Sequence, residues 1–175
     1  MGQVVELRRV NDRIMAIKLI VGGSTLNIVI TYAPQIGLDE EEKNHFWDVL
    51  DKVLRAIPLA EKLFIGGDFN GHIGSIPQGY DDAHGGFGFS DMNVGVVLLL
   101  DFSRALGLVV ANSSFPKREE QLVTFSSSRA KTQIDYFLLR KDDKELCKDC
   151  KDILRTQHKL LAMDLEIKKK KKKRL

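Results

Sequence analysis

The chain has 175 residues, of which 43% are hydrophobic and 29% are charged, a composition typical of one globular domain with a substantial core. No apolar run approaches the roughly 18 residues that a membrane-spanning helix needs, and the first residues lack the pattern of a signal peptide, so the sequence predicts an intracellular protein without a membrane anchor. The net charge is +3, but residues 168–174 contribute seven positive charges; without them the Lys and Arg count falls from 27 to 20 against 24 acidic residues, and the rest of the chain carries about −4.

The basic run predicts a disordered tail at residues 168–175, following a domain at residues 1–167. Successive like charges repel one another and keep such a run solvated. Lys168 and Lys169 stand where the tail leaves the domain and are candidates for contacts with phosphate groups. The run is equally compatible with a nuclear import signal, and hence a nuclear location, or with a terminus that has no role.

Apolar runs rich in β-branched residues, bounded by turn residues, predict strands along most of the chain. The pairs Asn11-Asp12 and Gly22-Gly23 are typical turn residues between the first three strands. The predicted strands lie at residues 3–10, 13–21, 26–32, 62–67, 108–112, 122–125, 133–139, 146–154 and 158–167.

Two helices interrupt the strands. The first begins at Asp39, an N-cap residue with Glu42 three positions on, and ends before Pro58; apolar residues recur between them at helical spacing. The second covers residues 93–106 and ends at Gly107. Strands divided by two helices, with hairpins at both ends, predict an α+β domain in which two sheets pack face to face with helices outside.

The strand at residues 62–67 ends in two glycines and is followed by Asp68 and Asn70. Because side chains alternate along an extended chain, Asp68 and Asn70 are expected to point to one side and Phe69 to the other. A carboxylate beside a carboxamide can polarise a water molecule while the amide orients it. Asp, Asn and Gly are also common turn residues, so a plain turn is the alternative for this segment alone.

A Gly-rich connection follows at residues 71–92, and a loop of this length is usually functional or disordered. Its residues His72 and His84 are each either a ligand or substrate contact or an ordinary surface histidine. Cys147 and Cys150, the only cysteines, have the C-x-x-C spacing that zinc and redox sites share. Because there is no second cysteine pair and the histidines are scattered, we interpret both as reduced thiols without a role in metal binding.

Asp135 lies within an apolar predicted strand, and a buried carboxylate without a partner is costly, so this residue requires one. His158, which opens the last predicted strand, is the candidate. A carboxylate bonded to one imidazole nitrogen fixes the tautomer and favours the charged ring. A cationic His158 facing Asp68 and Asn70 would offer a phosphate group a proton-rich side and a water-activating side.

Five short segments occur in an informative order. They are Ile30-Thr31-Tyr32-Ala33-Pro34, Gly66-Gly67-Asp68-Phe69-Asn70, Val123-Thr124-Phe125, Gln133-Ile134-Asp135-Tyr136 and Gln157-His158. In this order they resemble the endonuclease/exonuclease/phosphatase family, which includes apurinic endonucleases and deoxyribonuclease I. Segments within residues 71–88 and 112–116 resemble craniofacial development protein 2-like chains, which are similar to the endonuclease domain of RTE-type retrotransposons. The likeness covers nearly the whole chain.

This resemblance implies a four-layer α/β/β/α sandwich of two mixed sheets, as in deoxyribonuclease I. It also implies cleavage of a phosphodiester bond with Mg²⁺, or with Mn²⁺ in its place. Asp68 and Asn70 would position the attacking water and contribute to the metal site. His158 would stabilise charge on the phosphate, Asp135 would hold His158, and Tyr32 would lie beside the scissile phosphate.

The resemblance further implies contacts with the substrate. These are expected from Tyr32, Asn70, His72 and Thr124, and from the first lysines of the tail. The implied partner is nucleic acid, DNA rather than RNA, bound by a monomer.

The chain departs from the family pattern in two places. Family members begin with a strand–helix–strand unit that carries a metal-ligating Glu, and residues 1–10 contain no Glu in a matching context. The usual Ser-Asp-His is replaced by Thr156-Gln157-His158. The sequence therefore predicts the fold without its first unit. Two alternatives to hydrolysis follow: a catalytically impaired remnant that binds nucleic acid or protein, and a plain structural domain.

Overall fold

The computed structural model describes residues 2–152 and 159–167, which form strands β1 to β10 and helices α1 to α3. Within these ranges, no helix combines the length and the apolar character that crossing a membrane requires. In chain order the elements are β1 (Gln3–Arg9), β2 (Ile14–Val21), β3 (Ser24–Tyr32), α1 (Glu40–Arg55), β4 (Lys62–Asp68), α2 (Val94–Ala105), β5 (Leu108–Val110), α3 (Glu119–Leu122), β6 (Phe125–Ser126), β7 (Lys131–Thr132), β8 (Asp135–Arg140), β9 (Cys147–Asp152) and β10 (Leu161–Leu165).

Six strands form one mixed sheet in the order β1-β2-β3-β4-β8-β5. β3 and β4 run parallel, with α1 as the crossover that a parallel pair needs, and the other neighbours run antiparallel. Gly22 and Gly23 close the β2–β3 hairpin with φ angles of 60° and 80°, which suit a type I′ turn.

α1 and α2 pack on one face of this sheet and begin as predicted. The Asp39 side chain accepts a hydrogen bond from the Glu42 amide at 2.7 Å, and the Asn93 side chain accepts one from the Val96 amide at 3.2 Å. Gly107 follows α2 with φ at 63°, as expected after a helix end. The apolar core here includes Val29, Leu63, Ile65, Leu138, Phe46, Leu50, Leu99 and Leu100.

β9 and β10 form an antiparallel pair that packs on the opposite face, over Leu26, Phe64 and Leu139. The described residues thus form three layers: helices, the large sheet and the small sheet. This confirms the predicted α+β architecture with sheet packed on sheet. The small sheet has two antiparallel strands, and residues 2–152 and 159–167 do not form the outer helix layer of a four-layer sandwich.

The small sheet leaves part of the large sheet in contact with water. Leu7 pairs with Ile17, and Ile17 pairs with Ile28, so these three residues form an apolar row across β1, β2 and β3. Leu7 is 65% exposed, and Ile30, further along β3 on the same face, is 41% exposed. The apolar face therefore extends beyond the area that β9 and β10 cover.

The predicted strand at residues 122–125 is wrong in its extent. Leu122 ends the short helix α3, and only Phe125 and Ser126 pair as a strand. Leu-Val-Thr-Phe prefers an extended strand locally, but the tertiary structure overrides that preference because Leu122, Val123 and Thr124 are all buried in succession. The strand predicted to reach Asn112 likewise ends at β5 and is followed by a 3-10 turn.

Candidate active site

Three polar side chains form a row where three neighbouring strands meet. Tyr32 of β3 pairs with Asp68 of β4, and Asp68 pairs with Asp135 of β8. Directly paired residues of neighbouring strands project from the same face, so these side chains lie side by side. Tyr32 is exposed, Asp68 and Asp135 are half-buried residues, and Asp135 Oδ2 is itself buried. The structure therefore brings together three of the residues that the sequence singled out.

The chain turns sharply after Asp68. The Asn70 backbone amide donates to Asp68 Oδ1 at 2.8 Å, and Asn70 has φ at 51°, a left-handed conformation that Asn tolerates better than most residues. Asn70 Nδ2 donates to the Ala33 carbonyl at 2.7 Å. Asp68 and Asn70 are therefore close because of this turn and not because of strand alternation, since β4 ends at Asp68.

Gly67 lets β4 approach β3 closely just before the site. A Cβ atom at this position would lie 1.9 Å from the Thr31 carbonyl oxygen and 2.8 Å from Thr31 Oγ1. Both distances are too short for any side chain, so only glycine fits here. The position of Asp68 relative to Tyr32 depends on this contact.

Two buried side chains hold the backbone around Asp135. Thr124 Oγ1 accepts hydrogen bonds from the amides of Ile134 at 3.0 Å and Asp135 at 3.1 Å. Asn112 Nδ2 donates to the Asp135 carbonyl at 3.0 Å, and its Oδ1 accepts from the Phe137 amide at 2.8 Å. Thr124 is 1% exposed, so it supports Asp135 and does not occupy the surface position that a substrate contact needs.

Asn112 is a supporting residue that the sequence analysis did not single out. It is buried, and its two bonds use both ends of its amide. The available signal was an amide side chain directly after the apolar run of β5, at a position where a buried polar group must find partners.

A buried tyrosine ties the segment after Asn70 to β8. The Tyr136 hydroxyl lies 2.9 Å from the Gly71 carbonyl oxygen and 2.6 Å from the Gln133 carbonyl oxygen. It also accepts a hydrogen bond from the Ile73 amide at 3.3 Å. Burial raises the pKa of Tyr136 far above its usual value, so the phenol stays neutral. The loop that leaves the site is therefore fixed to the strand that carries Asp135.

The two histidines of the 71–92 connection differ in burial and in their hydrogen-bond partners. His84 is buried; its Nε2 donates to the Gly74 carbonyl at 3.0 Å, and its Nδ1 accepts from the Gly86 amide at 2.9 Å. These bonds need the neutral ring, and burial lowers the pKa of His84, so it ties the loop together. His72 is half-buried beside the N-cap of α2, where its backbone amide donates to Asn93 Oδ1 at 3.1 Å, and burial lowers its pKa as well.

Arg13, which no local sequence pattern indicated, places a guanidinium beside the row, paired with Glu42. Its guanidinium carbon lies 5.6 Å from the centroid of the Tyr32 ring, and its Nη2 donates to Glu42 at 2.6 Å. The Tyr32 amide donates to the Arg13 carbonyl at 2.8 Å. Arg13 thus flanks Tyr32 through both backbone and side chain.

Three predicted site residues lie outside the described residues: His158, Lys168 and Lys169. The described chain resumes at Lys159, whose backbone amide donates to the Thr124 carbonyl at 2.8 Å. The residue that follows His158 is therefore anchored to the side of the site that supports Asp135.

Cys147 and Cys150 lie in the second core and not at the site. Both are buried, with their Sγ atoms 3.7 Å apart and no disulfide between them. Across residues 2–152 and 159–167, no three His, Cys, Asp or Glu side chains are grouped so as to hold a metal ion. Both cysteines therefore contribute to the apolar core beneath the small sheet.

The row itself has the chemistry of a hard-cation site. Two carboxylates in directly paired positions repel each other, and a nearby cation relieves that repulsion. Mg²⁺ takes oxygen ligands and commonly uses one or two carboxylates, with water completing its coordination. Asp68 and Asn70 carry the side-chain oxygens at the end of β4 that could contribute to such a site.

Comparison with known proteins places the chain among named relatives, although no family model matches it. Craniofacial development protein 2 of Tragulus javanicus is 32% identical over 132 residues, which are 74% of this chain and 23% of that protein. Craniofacial development protein 2 of Bos taurus is 31% identical over 132 residues, which are 74% of this chain and 22% of that protein. The chain therefore spans less than a quarter of the length of these relatives.

Similar solved structures include the endonuclease domain of TRAS1, a telomere-specific non-LTR retrotransposon, with a TM-score of 0.63 at 14% identity over 90% of this chain and 65% of that one. The 3′ phosphatase NExo from Neisseria, bound to product DNA hairpin, has a TM-score of 0.65 at 15% identity over 95% of this chain and 72% of that one. AP endonuclease LMAP from Leishmania major has a TM-score of 0.57 at 14% identity over 86% and 54%. The chain is therefore similar to part of the craniofacial development protein 2 proteins, and its fold is the deoxyribonuclease I-like fold of endonuclease/exonuclease/phosphatase proteins.

Proposed function

We propose that this domain is a Mg²⁺-dependent phosphodiester hydrolase that nicks DNA. The row of Tyr32, Asp68 and Asp135, with Asn70 locked beside it, is the observation that supports this most directly. The similar structures are of nucleases and a 3′ phosphatase, which supports hydrolysis of phosphate esters as the kind of reaction.

Asp68 acts as the general base in this proposal. Its carboxylate accepts a proton from a water molecule, the water oxygen attacks phosphorus, and the bond from phosphorus to the leaving oxygen breaks as that oxygen takes a proton from solvent. Asn70 orients the water, because its Nδ2 is held by the Ala33 carbonyl and its Oδ1 remains to accept a hydrogen bond. Most of the rate gain comes from this positioning and from stabilisation of the phosphate charge.

His158 and Asp135 form the charge-stabilising side. His158 precedes Lys159, which is bonded to Thr124, and Thr124 holds the backbone of Asp135. We assign His158 a hydrogen bond to Asp135, which keeps the ring charged, so that the imidazolium faces the phosphoryl oxygens. Tyr32, exposed at the end of the row, contacts the same phosphate.

The metal completes the proposed site. Mg²⁺, or Mn²⁺ in its place, would be held by Asp68 and Asn70 and would neutralise charge on the phosphate. His72, Lys168 and Lys169 are further proposed contacts with the DNA backbone, and the proposed location is the nucleus. The chain is proposed to act as a monomer.

Plasmid nicking tests the proposal. Purified protein with Mg²⁺ should convert supercoiled plasmid to the open-circular form, and Asp68→Ala should reduce the rate about 100-fold or more. Asp48→Ala is the matched control, because Asp48 is an exposed carboxylate on α1 away from the row. Nicking by Asp68→Ala at the rate of the Asp48→Ala control would refute the assigned role.

Binding of nucleic acid without turnover is the second candidate. The replacement of an acid by Gln157 favours it, because fewer carboxylates then remain for a metal. In that case the basic tail supplies affinity, and removal of residues 168–175 should weaken binding and flatten its dependence on salt. Binding that keeps both its strength and its salt dependence without the tail would argue against this role.

A further inference from the structure

A cleft opens beside Asn70, on the helix side of the row. Its volume is about 320 Å³, and it lies between the loop after β3 and the first turn of α2. Most of its wall is apolar. The apolar wall residues are Ala33, Pro34, Ile36, Trp47, Val97 and Leu98.

Several of these wall residues are unusually exposed for their type. Ile36 is 52% exposed, Leu98 41% and Val97 36%. Large apolar side chains grouped around one opening, in contrast to single ones scattered over a surface, mark a place that an apolar group covers.

The cleft is already formed without an occupant. Gly95 packs against Ile36 so closely that a Cβ atom would lie 3.1 Å from Ile36 Cγ1, which fixes the two walls against each other. The ring of Trp47 is held between Phe69, with centroids 6.3 Å apart, and Phe102, with centroids 4.9 Å apart. Binding therefore requires little ordering of side chains.

Few polar side chains line the cleft. Lys43 and Glu40 form an ion pair of 2.8 Å at one side, and Asn70 forms the other. Apolar walls with hydrogen-bonding groups at the rim suit a flat aromatic ring that has polar edges. They do not suit a phosphate group, which would lose its water against the apolar walls.

We propose that this cleft holds an unpaired nucleobase of the strand whose phosphate lies at Asp68. The proposal rests on the proposed function and adds to it a substrate class: single-stranded nucleic acid, or a duplex from which one base is turned out. Asn70 lines the cleft on the helix face, and its amide bonds Asp68 Oδ1 at the end of β4, so a strand that crosses the sheet edge at Asn70 can place a base in the cleft and the neighbouring phosphate at Asp68. A base stacked in an intact duplex cannot enter.

Trp47 provides the measurement, because it is the only tryptophan of the chain and lines the cleft. Short single-stranded DNA is titrated into the full chain without metal, and binding is followed by the fluorescence of Trp47. In a series of probes that each lack one base, removal of the base at one particular position should weaken binding about tenfold. This corresponds to the loss of one base contact. The variant Ile36→Ser/Leu98→Ser should abolish that position dependence, and Leu59→Ser/Ile76→Ser, which replaces two exposed residues elsewhere, should keep it.

Three results would overturn the proposal: equal binding of all the base-deleted probes, equal binding of fully paired duplex, or a change in Trp47 fluorescence that depends on protein concentration alone. The last would indicate that a second copy of the chain covers the cleft. If the protein nicks plasmid but binds all base-deleted probes equally, only the proposed role of the cleft is rejected. If binding depends on the position of the missing base but the protein does not nick plasmid, only the catalytic proposal is rejected. The two failures are therefore distinguishable.

Discussion

Replacement of Thr124 by valine tests how Asp135 is held. Valine keeps the shape of threonine but leaves the amides of Ile134 and Asp135 without their acceptor. A buried amide without an acceptor costs about 1–3 kcal/mol. Ile134 and Asp135 are only half-buried, so water offsets part of the loss. The two amides together should therefore cost about 2–4 kcal/mol of the free energy of unfolding. This is a large fraction of the roughly 5–15 kcal/mol by which a domain is stable.

Thr124→Ser is the matched control, because serine keeps the oxygen and removes one buried methyl group, at a cost of about 1 kcal/mol. Both variants are unfolded in urea, with Trp47 fluorescence and circular dichroism as probes of the transition. The valine variant should be the less stable of the two. If valine proves as stable as serine, the hydroxyl of Thr124 does not support the site, and our account of Asp135 is incorrect.

Two further changes test other parts of the fold. Gly67→Ala should destabilise the chain by about 3 kcal/mol or more, because the new Cβ meets the Thr31 carbonyl. Gly37→Ala is the control and should be nearly neutral, because open space surrounds Gly37. Thermal unfolding measures both variants, and a similar shift in the two would show that the close approach at Gly67 is unimportant. His84→Gln should remove a pH dependence of the free energy of unfolding. The pKa of His84 in the folded state lies below its unfolded value of about 6.5, so the folded state binds fewer protons. The wild type therefore loses stability as the pH falls below that value. Urea unfolding at about pH 8 and about pH 5.5 measures this, and an equal loss in wild type and His84→Gln would show that the Gly86 contact does not require the neutral ring.

The features that could be predicted are those with a local cause. Asp39 and Glu42 begin α1 through contacts three residues apart, and the two glycines at positions 22 and 23 set the hairpin that they close. Asp68 is indicated because it follows an apolar strand beside Asn70, and Asp135 because a carboxylate within an apolar strand needs a partner. Their adjacency follows from strand pairing, which an ordered set of motifs could indicate but periodicity alone could not.

The supporting residues have causes that are distant in sequence. Asn112 acts on Asp135, 23 residues away, and Thr124 on Asp135, 11 residues away. Nothing near either residue shows which backbone groups it will meet, so Thr124 is predicted only as a substrate contact and Asn112 is not predicted as a site residue. The sequence leaves the role of His84 undecided between a ligand and a surface residue for the same reason. Its partners are backbone groups of Gly74 and Gly86, in a loop without a periodic pattern.

The apolar row of Leu7, Ile17 and Ile28 limits how much water the chain releases when it folds. Part of the large sheet remains hydrated in the native state, so unfolding exposes less new apolar surface than a fully covered domain of this length would. The heat-capacity increment of unfolding and the denaturant m-value both scale with newly exposed surface. Both should therefore be small for 175 residues, which makes the thermodynamics of unfolding a direct measure of how incompletely this sheet is covered.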